Sequence, residues 1–145
     1  MLYMEIENCF YRVSIKALIL NEERNKFLIT KEENGEWELP GGGLDWGLLP
    51  QEDLPREIEE EMGLKVTYVA KHPSYFLTDL TRSKKIWIVN VLFETELEDL
   101  NFTPSDECVE VRFVNLDEVK ELPVFPNVLK LAEMFDYKLH AKRTS

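Results

Sequence analysis

The most densely charged part of the chain is the segment REIEEEMGL, residues 56–64, which places four glutamates in five consecutive positions. On a helix that turns about 100° per residue, Glu57, Glu60 and Glu61 fall on one arc, while Glu59 points elsewhere. Carboxylates that converge in this way repel one another unless a cation lies between them. Hard oxygen ligands of this kind suit Mg²⁺ or Mn²⁺. The segment is therefore a candidate metal site, and the alternative interpretation is a solvated acidic face.

The same helix has an apolar face that can hold it against a sheet. Leu54, Ile58 and Met62 share an arc that adjoins the acidic one. Gly63 follows as a C-terminal cap that can adopt positive φ, and Leu64 supplies the accompanying apolar contact. Because the acidic arc lies beside the core face rather than opposite it, the pattern favours a site over a solvated face.

Upstream of the helix, LPGGG predicts a glycine loop in which Gly41, Gly42 and Gly43 let the backbone approach a substrate closely. Strand-like segments surround this unit, and the first two predict a hairpin: 10–20, 27–31, 37–39, 65–79 with a break at Pro73, 84–97 and 108–116. Two later helices are predicted, one capped by Asp117 and one opened by Pro126. Strands on both sides of a central helix predict an α/β fold, a mixed sheet covered by helices.

Length and charge limit the functions that this chain can have. Its 145 residues favour a single domain, residues 1–145. The net charge of −11 disfavours general DNA or RNA binding, which depends on Lys and Arg neutralising phosphates. Cys9 and Cys108 are isolated, which is typical of reduced thiols, and neither a signal peptide nor a membrane span is predicted. We therefore expect a cytoplasmic protein with no DNA or membrane partner.

The stretch GGLDWGLLPQEDLPREIEEEMGL, residues 42–64, resembles the Nudix box. That pattern is a glycine, five residues, a glutamate, seven residues, then Arg-Glu-apolar-any-Glu-Glu-any-Gly-apolar. Its positions are matched here by Gly42, Arg56, Glu57, Ile58, Glu60, Glu61, Gly63 and Leu64. The preceding WELPGG, residues 37–42, is also similar to the family's lead-in. The resemblance implies the Nudix fold, in which a mixed β-sheet is sandwiched between helices (α/β/α).

The resemblance also implies an activity and roles for residues. Nudix enzymes hydrolyse a nucleoside diphosphate linked to another group, so a pyrophosphohydrolase that requires Mg²⁺ or Mn²⁺ is expected. Glu57 and Glu61 match metal ligands, and Glu60 matches a ligand or proton acceptor. Arg56 is expected to orient the neighbouring carboxylates, and Glu107 matches a position that often supplies the general base. The predicted catalytic set is thus Glu60, Glu107 and Arg56, although Glu107 has the alternative of a surface loop acid.

One position departs from the family pattern. Leu48 stands where the box has a glutamate that supports the metal site or the arginine. Asp53, on the acidic arc, either replaces part of that charge or is an N-terminal cap or first-turn acid of the helix. Pro55 favours the cap because proline suits a first turn. The departure leaves two hypotheses, an active hydrolase and a Nudix-fold nucleotide-binding or regulatory module with weak catalysis.

The substrate class stays open at this level. A small phosphorylated substrate, a nucleotide derivative, is expected, and an oxidised nucleotide, a nucleotide sugar, a dinucleoside polyphosphate and a capped RNA end all fit. Three basic residues are candidates for phosphate contacts, with a solvated cluster as the alternative: Arg82, Lys84 and Lys85. Three aromatic residues are candidates for stacking on a base, with ordinary packing as the alternative: Trp46, Tyr75 and Phe76. Both a monomer and a homodimer are compatible with the sequence.

Overall fold

The computed structural model describes residues 10–80 and 86–141, so the candidate cluster Arg82, Lys84 and Lys85 lies outside the described residues. The described strands are β1 (Arg12–Leu18), β2 (Phe27–Lys31), β3 (Trp37–Glu38), β4 (Gly41–Gly43), β5 (Val66–Val69), β6 (Tyr75–Leu80), β7 (Trp87–Leu97) and β8 (Glu110–Val114). The described α-helices are α1 (Pro50–Met62), α2 (Leu116–Val119) and α3 (Pro126–Met134), with a 3-10 helix at Tyr137–His140.

The strands form two sheets. The larger, five-stranded sheet has the order β4-β1-β7-β5, and β6 also pairs with β7. Its central pair, β1 and β7, is parallel, whereas its other pairs are antiparallel. The smaller sheet has the order β3-β2-β8 and is antiparallel throughout. The prediction of a mixed sheet is therefore confirmed.

The predicted hairpin between the first two strands is confirmed only at its turn. Leu20 and Phe27 form an antiparallel bridge across residues 21–26, but β1 and β2 otherwise belong to different sheets. β1 instead lies between β4 and β7, with Ser14 opposite Gly43 on one side and Asn90 on the other. Segments far apart in the chain compete for the edges of a strand, and local propensity does not decide that competition.

Helices cover both faces of the larger sheet, as the Nudix resemblance implied. Successive side chains of a strand point to opposite faces. In β1, Ile15 and Ala17 pack in the cluster that contains the apolar face of α1, and Leu18 packs in the cluster that contains α3. The predicted apolar arc of α1 is confirmed, since its buried hydrophobic residues are Leu54, Ile58 and Met62.

The ends of the helices agree only partly with the sequence patterns. Gly63 caps α1 in the left-handed region, at φ 66°, and its N–H donates to the Glu59 carbonyl at 2.8 Å, as predicted. α3 begins at Pro126, also as predicted. α2, however, is capped by Asn115, whose side chain accepts the Glu118 N–H at 3.0 Å, so the predicted Asp117 cap is wrong. Asn115 precedes the first turn and its short side chain can reach that donor.

The start of α1 is also earlier than expected. The helix begins at Pro50 with Leu49 as its N-cap residue, and Pro55 lies inside it. The packing of its apolar face on the sheet outweighs the hydrogen bond that a proline inside a helix removes. Within the described residues, no helix has the length and apolar character needed to cross a membrane.

Candidate active site

A cavity of about 670 Å³ opens beside the acidic face of α1. Acids dominate its described lining, and Lys16 is the one basic side chain among those residues. The acidic residues come from α1, from the region around β3 and from the loop before β8: Glu32, Glu33, Glu38, Glu57, Glu61, Asp106 and Glu107. Such a lining repels free anions and favours a cation or an anion accompanied by one.

The structure brings Glu57 and Glu61 together at this cavity, one helical turn apart. Glu61 Oε1 accepts the backbone N–H of Gly41 at 3.1 Å, which ties the helix to β4. Glu60 is not among the residues that line the cavity; its side chain is 57% exposed and accepts a hydrogen bond from Arg56 at 2.9 Å. Two of the three arc carboxylates therefore face the cavity, and the metal role of each stays a prediction.

The predicted glycine loop is wrong, because Gly41–Gly43 form strand β4 and pair with β1. A Cβ on Gly41, at φ +131°, would lie 2.2 Å from the Ile15 carbonyl oxygen. A Cβ on Gly42 would lie 2.7 Å from Glu57 Oε2. The missing side chains thus let β4 fit between β1 and the carboxylates of α1. Gly41 also lines the cavity, and substrate binding by the three glycines stays a prediction.

The loop before β8 carries Glu107 to the same cavity. Two hydrogen bonds tie this loop to the end of α1: Thr103 N donates to the Met62 carbonyl, and Ser105 Oγ donates to the Glu61 carbonyl, both at 3.1 Å. The N–H of Glu107 in turn donates to Ser105 Oγ at 3.3 Å. The helix end therefore holds the loop in place, so Glu107, Glu57 and Glu61 line one space although 46 positions separate Glu61 from Glu107.

Lys16 is a site residue that the sequence analysis missed. Its side chain is buried in β1, with 6% of the residue exposed. Its Nζ donates to the Leu39 carbonyl at 3.3 Å and lies 4.0 Å from Glu38 Oε2. A single lysine in the apolar strand segment SIKAL was the available signal, because a lysine is rarely buried without a partner.

A second cavity of about 280 Å³ adjoins the first, since Lys16 and Glu38 line both. Asn127, at the start of α3, and Asn90 of β7 lie in its wall. Asn127 is 7% exposed; its Nδ2 donates to Asn90 Oδ1 at 3.4 Å, and its Oδ1 has no hydrogen-bond partner among the described residues. An unsatisfied buried acceptor is costly, so this amide is suited to a polar ligand group.

The three aromatic residues proposed for stacking do not line either cavity. Tyr75 packs in the core, and its hydroxyl lies 2.8 Å from His140 Nε2. Trp46 and Phe76 are exposed at the surface. Phe125, which precedes α3, is the aromatic residue that lines the second cavity among the residues described.

Asp53 is fully buried. It is an acid of the first turn of α1, one of the expected alternatives, whereas the favoured prediction that it caps the helix is wrong. Its Oδ1 accepts Nε of Arg56 at 3.0 Å, and its Oδ2 accepts the backbone N–H of Asp45 at 2.9 Å. The error has a simple cause: α1 begins at Pro50, so position 53 lies within the helix. Leu48, in the turn that precedes the helix, is 38% exposed.

Burial controls the electrostatics of the two carboxylates at the cavity. Burial raises the pKa of Glu61 to about 8, and the charges of Glu57 and Glu107 act in the same direction. Lys16 and the N–H of Gly41 oppose that shift in pKa. Burial also raises the pKa of Glu57, against the lowering effect of Arg56. Among the described residues, no three His, Cys, Asp or Glu side chains lie close enough in this arrangement to bind one metal ion jointly.

The raised pKa of Glu61 predicts a pH dependence of stability in the presence of a chelator. The folded protein keeps the Glu61 proton up to about pH 8, whereas the unfolded chain releases it near the ordinary value of 4.5. The folded state thus binds more protons than the unfolded state in this pH window. The contribution of Glu61 to folding stability is therefore complete below pH 4.5 and is lost as the pH rises toward 8. Between pH 5 and 8.5, we expect the free energy of unfolding to fall by about 4 kcal/mol relative to Glu61→Gln.

Urea denaturation in EDTA at a series of pH values measures this difference. Glu59→Gln is the matched control, because Glu59 is an exposed acid of the same helix. Parallel stability curves for the wild type and Glu61→Gln would show that Glu61 is ionised throughout this range.

Known proteins resemble this chain in sequence and in fold. The NUDIX domain family model matches residues 10–135. A MutT-like protein of Streptomyces ambofaciens is 27% identical over 126 residues, which cover 87% of this chain and 78% of that protein. An RNA pyrophosphohydrolase of Ruthia magnifica subsp. Calyptogena magnifica is 32% identical over 72 residues, 48% of this chain and 40% of that protein.

A solved structure shares the whole fold. The MutT protein of Methanosarcina mazei Go1 superposes with a TM-score of 0.73 at 23% identity, and the alignment covers 90% of this chain and 96% of that one. At this identity the likeness concerns the fold, whereas the family model also matches the sequence over residues 10–135. The resemblance inferred from the box is confirmed, and the chain belongs to the Nudix hydrolase family.

Proposed function

We propose that this protein is a pyrophosphohydrolase that requires Mg²⁺ or Mn²⁺ and cleaves a phosphoric anhydride in a nucleotide derivative. One observation carries the proposal: Glu57 and Glu61 of α1 line one cavity together with Glu107 of a separate loop and the buried Lys16. Membership of the Nudix family supports the reaction class, as does the similarity to a protein named RNA pyrophosphohydrolase.

A divalent cation fits the donor set of this cavity. Mg²⁺ is commonly bound by one or two carboxylates together with waters and phosphate oxygens, rather than by a cage of protein ligands alone. Glu57 and Glu61 supply two carboxylates, and the burial that raises the pKa of Glu61 disfavours its charge unless a cation offsets it. When bound, the metal would offset phosphate charge and lower the pKa of a bound water.

The protein residues around the cavity have separate tasks in this proposal. Lys16, held by the Leu39 carbonyl and lining the cavity, would contact a phosphate oxygen. Glu107 accepts the proton of the attacking water, because it lies on a separate loop and not on the helix whose carboxylates would hold the cation. Arg56 does not line the cavity and instead holds Glu57 at 3.0 Å, so it positions that carboxylate.

The second cavity is the proposed place for the base or another polar group of the substrate. Lys16 stands between the two cavities, so a nucleotide can place its phosphates in the larger one and its base in the smaller one. Asn127 offers an acceptor without a partner, which a donor on the base would satisfy.

A panel of nucleotide substrates tests the proposed function. We expect the wild-type protein to release phosphate, pyrophosphate or a nucleoside monophosphate from at least one of them with Mg²⁺ or Mn²⁺, and not in EDTA. On that substrate, Asn127→Ala is expected to raise KM by about 10-fold with kcat changed less than about 3-fold, since uniform binding is lost. Asn101→Ala, which alters an exposed loop residue outside both cavities, is the control.

Two other outcomes would change the conclusion. Nucleotide binding with no turnover across the panel would favour a binding or regulatory module, the alternative suggested by Leu48. An unchanged KM for Asn127→Ala would remove the second cavity from the substrate site and leave the reaction class intact.

A further inference from the structure

Arg56 is the centre of a group of four carboxylates at the start of the acidic face. Its guanidinium reaches Asp45 Oδ2 at 2.7 Å, Glu57 Oε1 at 3.0 Å and Glu60 Oε1 at 2.9 Å, and both its Nε and Nη2 contact Asp53 Oδ1. Three of these acids, Asp45, Glu57 and Glu60, have side chains that are at least partly exposed to solvent. Asp53 differs from them because its side chain is fully buried.

The burial of Asp53 has physical consequences. A buried carboxylate is stable only when it is paired and hydrogen-bonded. Both oxygens of Asp53 meet that requirement, Oδ1 through Arg56 and Oδ2 through the N–H of Asp45 in the segment that follows β4. Asp53 therefore connects three parts of the site: helix α1, the segment that follows β4, and the guanidinium that holds Glu57.

Position 48 lacks the acid that the box pattern places there. Leu48 has an apolar side chain that is 38% exposed, and its backbone N–H donates to the Asp45 carbonyl at 3.1 Å in a turn that includes Gly47 at φ +88°. It cannot pair with a guanidinium. The same turn nevertheless contains Asp45, whose carboxylate contacts Arg56. A carboxylate at position 48 would thus extend from a turn that already adjoins the arginine.

We infer that Asp53 is a positioning residue that takes over the task of the absent box glutamate. Asp53 holds Arg56 in the orientation that presents Glu57 to the cavity, and this makes Leu48 tolerable in a working site. The inference rests on the proposed function, because presentation of Glu57 matters only if the cavity binds a cation and a phosphorylated substrate.

The test is a cycle of substitutions at positions 48 and 53 of the full chain. Asp53→Asn keeps the shape of the side chain and an acceptor for the Asp45 N–H while removing the charge, and Asp53→Ala removes both. Each is made alone and with Leu48→Glu, and Glu52→Ala is the matched control because Glu52 is an exposed acid in the same helical turn. Calorimetry with MnCl₂ measures metal affinity, and the NMR signal of the Arg56 Nε–H reports whether the guanidinium is held.

We expect Asp53→Asn to weaken Mn²⁺ binding by about 10-fold, as loss of an outer-shell partner does, and to broaden or shift the Arg56 Nε–H signal. Adding Leu48→Glu should recover affinity to within about 3-fold of wild type and restore the signal. Leu48→Glu alone should change affinity less than about 2-fold, since Arg56 is already held. This recovery distinguishes positioning from a purely structural role. If Asp53 only stabilised the buried interior, a new carboxylate at position 48 on the exposed turn would not restore Mn²⁺ affinity.

Three results would overturn the inference. In the first, folded Asp53→Asn and Asp53→Ala both bind Mn²⁺ like the wild type. In the second, Leu48→Glu raises affinity by the same factor with and without Asp53, which would show that the two positions act independently. In the third, wild-type protein binds no Mn²⁺, which would refute the proposed metal-dependent function and reduce the Asp53–Arg56 pair, still visible by NMR, to a structural contact.

Discussion

Replacing Glu61 with glutamine is expected to weaken Mn²⁺ binding by about 100-fold or more and to remove measurable turnover, because a neutral amide would replace a carboxylate of the proposed metal site. Glu61 lines the cavity, and its Oε1 accepts the Gly41 N–H, so the loss acts at the point where the helix meets β4. Calorimetry with MnCl₂ gives the affinity, and the assay on the substrate identified by the panel gives turnover.

The same substitution should not destabilise the fold. Glutamine removes a charge that burial disfavours and relieves the repulsion from Glu57 and Glu107, so thermal stability in EDTA at pH 8 should be equal to that of wild type or higher. Glu59→Gln, on the solvent side of the same helix, should leave both affinity and turnover unchanged. Mn²⁺ affinity that is unaltered in Glu61→Gln would mean that the acidic arc is a solvated surface.

Replacing Glu107 with glutamine is expected to lower turnover by about 100-fold or more while nucleotide affinity stays within a few-fold, as loss of a general base requires. Glu107 lines the cavity with Glu57 and Glu61, and the loop that carries it is tied to the Glu61 carbonyl through Ser105. It can therefore accept a proton at this cavity without being part of the box helix. Steady-state kinetics on the identified substrate, with separate kcat and KM values, measure the effect.

Asp106→Asn is the matched control, because Asp106 is the neighbouring acid of the same loop and lines the same cavity. If Asp106→Asn has the same effect, the loop contributes general negative charge and not a specific base. If Glu107→Gln turns over like the wild type and Glu60→Gln abolishes turnover without abolishing metal binding, the base lies on the box helix.

Local pattern in the sequence was sufficient for the apolar face of the central helix and for its C-terminal cap. The period of an α-helix places Leu54, Ile58 and Met62 on one face, and Gly63 accepts the left-handed conformation that ends the helix. Both features depend on residues a few positions apart, so the chain specifies them without reference to the rest of the fold. The long spacing of the box motif identified the family in the same way, since it spans residues that are contiguous in the chain.

The tertiary structure decided which residues share the cavity, although the family resemblance had already pointed to Glu107, whereas Lys16 was missed. Lys16 and Glu107 are far from the box in the chain, and strand pairing and the docking of the loop on α1 bring them to Glu61. The predicted hairpin is limited to its turn for the same reason, because β1 pairs with β4 and β7 rather than with β2. Pairing between distant strands is decided by the packing of whole faces, and a local pattern does not contain that information.

At Asp53, the sequence and the tertiary structure each determine a different part of the residue's role. The sequence alone establishes that an acid stands one turn before Glu57 and that Leu48 replaces the box glutamate. Whether that acid caps the helix or holds Arg56 depends on where α1 begins. The chain offers two prolines that could mark the start, and the helix begins at Pro50, which occupies its first turn, rather than near Pro55. Burying an unpaired charge costs free energy, so the buried Asp53 carboxylate needs partners. The folded chain supplies them as Arg56 and the N–H of Asp45.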